Sequence, residues 1–116
     1  MIIKKMTDVR LQDVTMDGAE NVKVRVLFGP ADQVPTFAMR LFELGPGGHT
    51  PFHSHPFEHE VVVLDGDIAA VDESGPHPVQ MGQVLLVMPN EKHQFINRSG
   101  THPARFLCLV PAAYQK

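Results

Sequence analysis

Apolar and polar residues alternate with a period of two in several short runs, the pattern of strands with one buried face. In VKVRVLF, residues 22–28, Val22, Val24, Val26 and Phe28 share one parity and Lys23 and Arg25 the other. TFAMRLFEL, residues 36–44, sets Phe37, Met39 and Leu41 against Thr36 and Arg40, and GPGG at 45–48 predicts its end. Further strands are predicted over 60–66, 67–73, 84–89, 93–97 and 104–111. Between them ESGPHP, PNEK and NRSGTHP are rich in turn-forming residues and read as turns. In the last strand Phe106, Cys108 and Val110 share one parity, Leu107 and Leu109 the other, and either set can face inward. No segment holds a 3.6-residue period for three turns; only the first twenty residues, with Val9, Leu11, Val14 and Met16, stay ambiguous. Short strands at such spacing predict an all-β sandwich or barrel. The expected organisation is a single domain over 1–116, with a barrel core over about 22–111 and an N-terminal arm or strand over 1–21.

Composition changes this picture in three respects. First, 116 residues suffice for one hydrophobic core only. Second, 10 Lys plus Arg against 13 Asp plus Glu give a net charge of -3 and no basic stripe, so nucleic acid is not an expected partner. Third, Pro89 ends the apolar run from Val84, and Pro111 interrupts the stretch from Phe106 to Tyr114, so no membrane span is expected. The start, MIIKKMTDVR, has neither an apolar signal core nor a small-residue cleavage site, and the single Cys108 rules out an internal disulfide framework; both point to the cytoplasm.

Histidine is the anomaly. The chain has seven, and His49, His53, His55 and His59 fall close together. In HSHPFEHE, residues 53–60, three imidazoles have the same parity, so on an extended chain His53, His55 and His59 share a face. Pro56 interrupts that ideal geometry and leaves Glu60 as the rival to His59. His93 follows a buried-looking strand and the turn PNEK, from which a neighbouring strand can bring a fourth nitrogen. Neutral imidazoles suit Mn, Fe, Ni, Cu and Zn, whereas Ca and Mg prefer oxygen shells. Four such ligands leave a divalent site at about +2, with two positions of an octahedral shell open to substrate, water or dioxygen. His49, His77 and His102 lie beside turns and read as packed or surface residues.

These residues resemble the first and second motifs of the cupin family. GPGGHTPFHSHPFEHEVVVLDG supplies Gly47, His53, His55, His59 or Glu60, and Gly66; GQVLLVMPNEKHQFIN supplies Gly82, Pro89, His93 and Asn97. The resemblance covers about residues 36–110. It departs where Glu91 stands in place of the usual glycine and where one extra residue separates Gly82 from Pro89. The resemblance implies a double-stranded β-helix barrel, a metal in its mouth and, usually, a homodimer. The histidine-rich first motif is similar to small single-domain cupins with four histidine ligands, here His53, His55, His59 and His93, often holding manganese; Fe, Ni, Zn and Cu are the alternatives. Glu60, Phe95, Phe106 and Cys108 are the pocket candidates, with Phe52 and Phe57 as further walls. Glu58 and Glu60 either orient ligand histidines or are solvated charges, and Cys108 is either a small buried hydrophobe or a sulfur beside the metal. The expected function is a dioxygenase-like oxidoreductase acting on a small oxygenated or aromatic substrate. The alternatives are a metal-dependent isomerase or hydrolase, and a module that binds a small molecule or metal without chemistry.

Overall fold

The computed structural model describes residues 1–115. Its strands are Gln12–Asp13 (β1), Glu20–Phe28 (β2), Phe37–His49 (β3), His59–Asp65 (β4), Ile68–Asp72 (β5), Gly75–Val79 (β6), Val84–Val87 (β7), Gln94–Asn97 (β8) and Ala104–Pro111 (β9). The ambiguous N-terminal stretch forms one 3-10 turn, Met6–Asp8, and β1, with no α-helix. Antiparallel pairing runs in the order β6-β5-β8-β3-β9-β4-β7, with β2 also on β3 and β1 on β2. The sheet curls on itself into the double-stranded β-helix barrel that the sequence resemblance implies. No helix among the described residues is long and apolar enough to cross a membrane.

Two expected turns are strand instead. GPGG does not end β3, which runs on to His49; the left-handed conformation of Gly47, at φ +69°, lets the chain irregularly turn there while keeping its pairing. The second half of ESGPHP forms β6, which pairs with β5. Pro76 and Pro78 are tolerated there because β6 is the sheet's edge, where a missing N–H breaks no ladder.

The inward faces follow strand parity. On β9, Ala104, Phe106, Cys108 and Val110 are buried and Arg105, Leu107 and Leu109 are not, which settles the parity that the sequence leaves open. On β4, Val61 and Val63 join them in the core. On β3 the set facing the cavity and its core is Ala38, Arg40, Phe42 and Leu44; of the apolar alternation on the other parity, Phe37 is exposed and Met39 half-buried, whereas Leu41 is buried on that opposite face. A register shift between Val26 and Phe28 puts Leu27 among the buried residues and breaks the simple alternation of β2.

Asn97 closes the barrel at the end of β8. It is fully buried, and its side-chain amide reaches the carbonyls of Leu44 (3.1 Å), Gly45 (3.0 Å) and His102 (2.8 Å), while its Oδ1 accepts the Ser99 N–H at 3.0 Å. One polar side chain thereby ties β3, β8 and the loop before β9.

Candidate metal centre

The site begins with backbone pairing. His53 and His93 exchange both main-chain hydrogen bonds, 3.1 Å from His53 N to His93 O and 2.9 Å in the reverse direction. In such an antiparallel pair the two side chains leave from the same face, and the rings lie 5.1 Å apart. Asn90 N donates to His55 O at 2.7 Å and ties the second motif to the first. Asn90 adopts the left-handed conformation, φ +67°, in this turn. Asparagine tolerates that region, which explains why a glycine is dispensable at position 91. Glu91 instead accepts the Met88 N–H through its carboxylate at 3.0 Å.

Side-chain hydrogen bonds then fix the tautomers. His55 Nδ1 lies 2.9 Å from Phe57 O and His93 Nδ1 lies 2.8 Å from Glu91 O. A carbonyl only accepts, so each Nδ1 carries the proton and each Nε2 keeps its lone pair. His55 Nε2 is buried with no hydrogen-bond partner, an orphan that a cation satisfies. His55 is further held by stacking on Phe57, with centroids 3.9 Å apart. His53, His55 and His93 offer ligand atoms that all lie within 4.8 Å of one another, a cluster able to hold a metal ion.

His59 stands beside this trio, its ring 4.3 Å from His55 and 5.3 Å from His93. Its Nδ1 meets Cys108 Sγ at 3.3 Å and Arg40 Nη2 at 3.5 Å, and Arg40 Nη2 donates to the same sulfur at 3.1 Å. Burial, then the Arg40 charge, holds the His59 imidazole at a pKa of about 2; burial also lowers His53 and His55. These three are therefore neutral at pH 7, the state in which imidazole binds metal. Burial pushes the Cys108 thiol up, which keeps it protonated.

The histidines line a cavity of about 330 Å³. Phe95, Phe106 and Cys108 line it as well, and Phe106 stacks between Phe42 (5.0 Å) and Phe95 (4.7 Å). Phe57 also lines it and Phe52 is exposed. Glu60 stands exposed between Leu86 and Leu109 on the outward face of β4, away from the cavity, and Glu58 is exposed too. The adjacent parities explain the outcome: if His59 points in, Glu60 points out. His49, His77 and His102 join other partners, respectively Glu20, Asp72 and Thr101. Arg40 is the charged site residue missing from the sequence reading, and Tyr114, which stacks on Phe57 at 4.2 Å and lines the cavity, is missing from it too. The position of Arg40 in TFAMRLFEL looks like the solvated side of a strand, and only the inward parity of β3 reveals otherwise.

Comparison with known proteins gives the same fold. Residues 40–110 match the model of a family described as the cupin domain. The chain is 32% identical to the polyketide cyclase RemF from Streptomyces resistomycificus, covering 97% of this chain and 80% of that one, with a TM-score of 0.90. A cupin-2 domain structure from Rhodospirillum rubrum is 26% identical with a TM-score of 0.83, covering 99% of this chain and 77% of that chain. Protein SchB from Streptomyces halstedii is 29% identical over 107 residues, 90% of this chain and 78% of SchB.

Proposed function

Since the chain belongs to the cupin domain family, we propose that it is a metal-dependent enzyme that holds a divalent transition ion on His53, His55, His59 and His93 and closes rings in a carbonyl-rich small substrate. The observation that carries this reading is the cluster of imidazoles, with the orphaned Nε2 of His55 among them, lining an apolar cavity. His59 completes the set if its Nδ1–H donates to Cys108, which leaves Nε2 free. Such an ion supplies Lewis acidity toward a substrate carbonyl. The phenylalanine walls exclude bulk water and present flat apolar faces to the substrate. The relative named as a polyketide cyclase supports ring closure over other chemistry on this scaffold.

Dioxygenase-like oxidation is the second reading, favoured by an all-nitrogen ligand set with no carboxylate among the cavity-lining residues. Turnover of a poly-β-ketone model compound under strict anaerobiosis supports ring closure, whereas dioxygen consumption that tracks turnover replaces it with oxidation. No metal-dependent turnover with either assay leaves a binding module. Manganese is the first candidate, on the resemblance of the ligand set, before Fe, Ni, Zn and Cu; elemental analysis of untagged protein decides among them. The cytoplasm remains the proposed compartment, resting on the lone thiol.

A homodimer completes the proposal. Phe37, Val84, Leu86 and Met88 are 65%, 76%, 54% and 54% exposed, and Val84 and Leu86 border the outward-facing Met39, Val62, Leu107 and Leu109. The four exposed side chains offer roughly 400 Å², about half of what one partner buries in a standard interface, and the half-buried neighbours extend it. Leu86→Glu is expected to convert a dimer to a monomer in light scattering; a wild type that is already monomeric at high concentration refutes the dimer.

A further inference from the structure

Arg40 is a cation without a counter-ion. Arg25, Arg98 and Arg105 each face a carboxylate, at 3.8, 2.7 and 2.8 Å. Arg40 faces none among the described residues: its polar partners are a thiol and an imidazole, both on Nη2. Its Nε is buried and donates to nothing, and its guanidinium lies 4.8 Å from the centroid of the Phe42 ring. No Asp or Glu lines the cavity that Arg40 shares with the histidines. An imidazole supplies no negative charge, so a divalent ion and Arg40 together place about three positive charges between apolar walls. A neutral ligand would leave that excess in place.

We propose that the ligand of this cavity is a planar conjugated oxyanion, a carboxylate or an acidic enol, whose charged oxygen is bound by the Arg40 guanidinium while its flat body lies against the phenylalanine walls. This rests on the metal reading for the site's total charge, although Arg40 is unpaired without it. Guanidinium forks match oxyanions in shape, and hydrogen bonds between charged groups are the strong ones. The aromatic lining selects flatness, and the absence of any acidic wall selects against cations. Arg40 thereby determines specificity in a way that the metal ligands do not.

The test measures binding of benzoate, benzoylacetone and the neutral benzamide to zinc-loaded and metal-free protein by calorimetry, for the wild type, Arg40→Gln and Arg40→Lys. The expected result is that at least one of the two acidic compounds binds the wild type about tenfold or more tighter than benzamide. Arg40→Gln abolishes that preference with zinc content unchanged, and Arg40→Lys retains part of it. Preference for benzoate identifies a carboxylate ligand, and preference for benzoylacetone an enol. Equal binding of benzamide by the wild type overturns the proposal even if no variant folds, as does a preference that survives Arg40→Gln. Zinc stoichiometry reads the metal assignment separately: wild type that takes up no zinc yet keeps an Arg40-dependent preference refutes the metal centre and leaves the oxyanion site standing.

Discussion

Replacing Cys108 with alanine isolates the contact that would prepare His59 for the proposed metal. In the wild type, His59 Nδ1 has two neighbours, the sulfur at 3.3 Å and Arg40 Nη2 at 3.5 Å. Only the sulfur accepts a proton; the guanidinium is a donor in every state. Without the sulfur, the Arg40 N–H faces Nδ1 alone and favours the tautomer with the proton on Nε2, which blocks that nitrogen as a ligand. Loss of such a supporting contact costs about 10- to 100-fold in metal affinity, or roughly 1.4 to 2.7 kcal/mol. Competition against a chelator of known zinc affinity measures the loss, and imidazole ¹⁵N shifts report the tautomer. Cys108→Ser, whose hydroxyl oxygen accepts the same proton, is expected to keep most of the affinity. Zinc bound as tightly by Cys108→Ala as by the wild type, with the ring tautomer unchanged, would refute the reasoning.

Three further outcomes are expected. Asn97→Asp swaps an amide that satisfies buried carbonyls for an oxygen that repels them, at an expected cost of about 3 to 5 kcal/mol in urea unfolding; a loss below 1 kcal/mol contradicts the clamp. At Gly66, with φ +94°, an added Cβ would lie 2.4 Å from Ala104 Cβ and 2.5 Å from its Cα, so Gly66→Ala is expected to lower the unfolding midpoint by about 2 to 4 kcal/mol worth of stability, a reading that an unchanged midpoint would sink. The pKa values of His53, His55 and His59 are depressed in the fold, chiefly by burial, so below about pH 6.5 the unfolded chain binds protons that the native state refuses. Stability of the metal-free protein is therefore full above that pH and falls as pH drops, with His59 contributing up to about 1.4 kcal/mol per pH unit until its own value near 2; metal affinity falls over the same onset because protons compete for the ligands. Denaturant midpoints and zinc affinity that stay level from pH 7 to 5 would contradict both statements.

Much of the barrel and half of the site's logic were legible in the sequence. Alternation in β9 expresses local strand geometry and was legible as such; His53, His55 and His59 do converge, but the chain between them is not a strand, so their shared parity named the right residues without describing the path that joins them. The pairing of His93 with His53 was not readable, because a reciprocal bridge across 40 positions is not local; the sequence indicated only that a neighbouring strand can bring His93 to the other histidines. Arg40 was not legible: Phe37, Met39 and Leu41 carry the apolar alternation of β3 on the face opposite the cavity, where Leu41 is buried and Phe37 exposed, so the hydrophobic signal did not mark the side that Arg40 shares with the histidines. Likewise Gly47 and the prolines of β6 carry turn signals that the neighbouring strands overrule, since an irregular or edge strand absorbs them. The alternative of Glu60 was undecidable before the path after Pro56 was known.

The reciprocal main-chain bridge between His53 and His93 sets where two imidazoles depart without any help from a cation. Stripping the ion should then leave the scaffold standing, so that one preparation can be emptied and refilled with a series of different metals. Differences in behaviour along that series would belong to the elements themselves, because the frame that presents them stays the same.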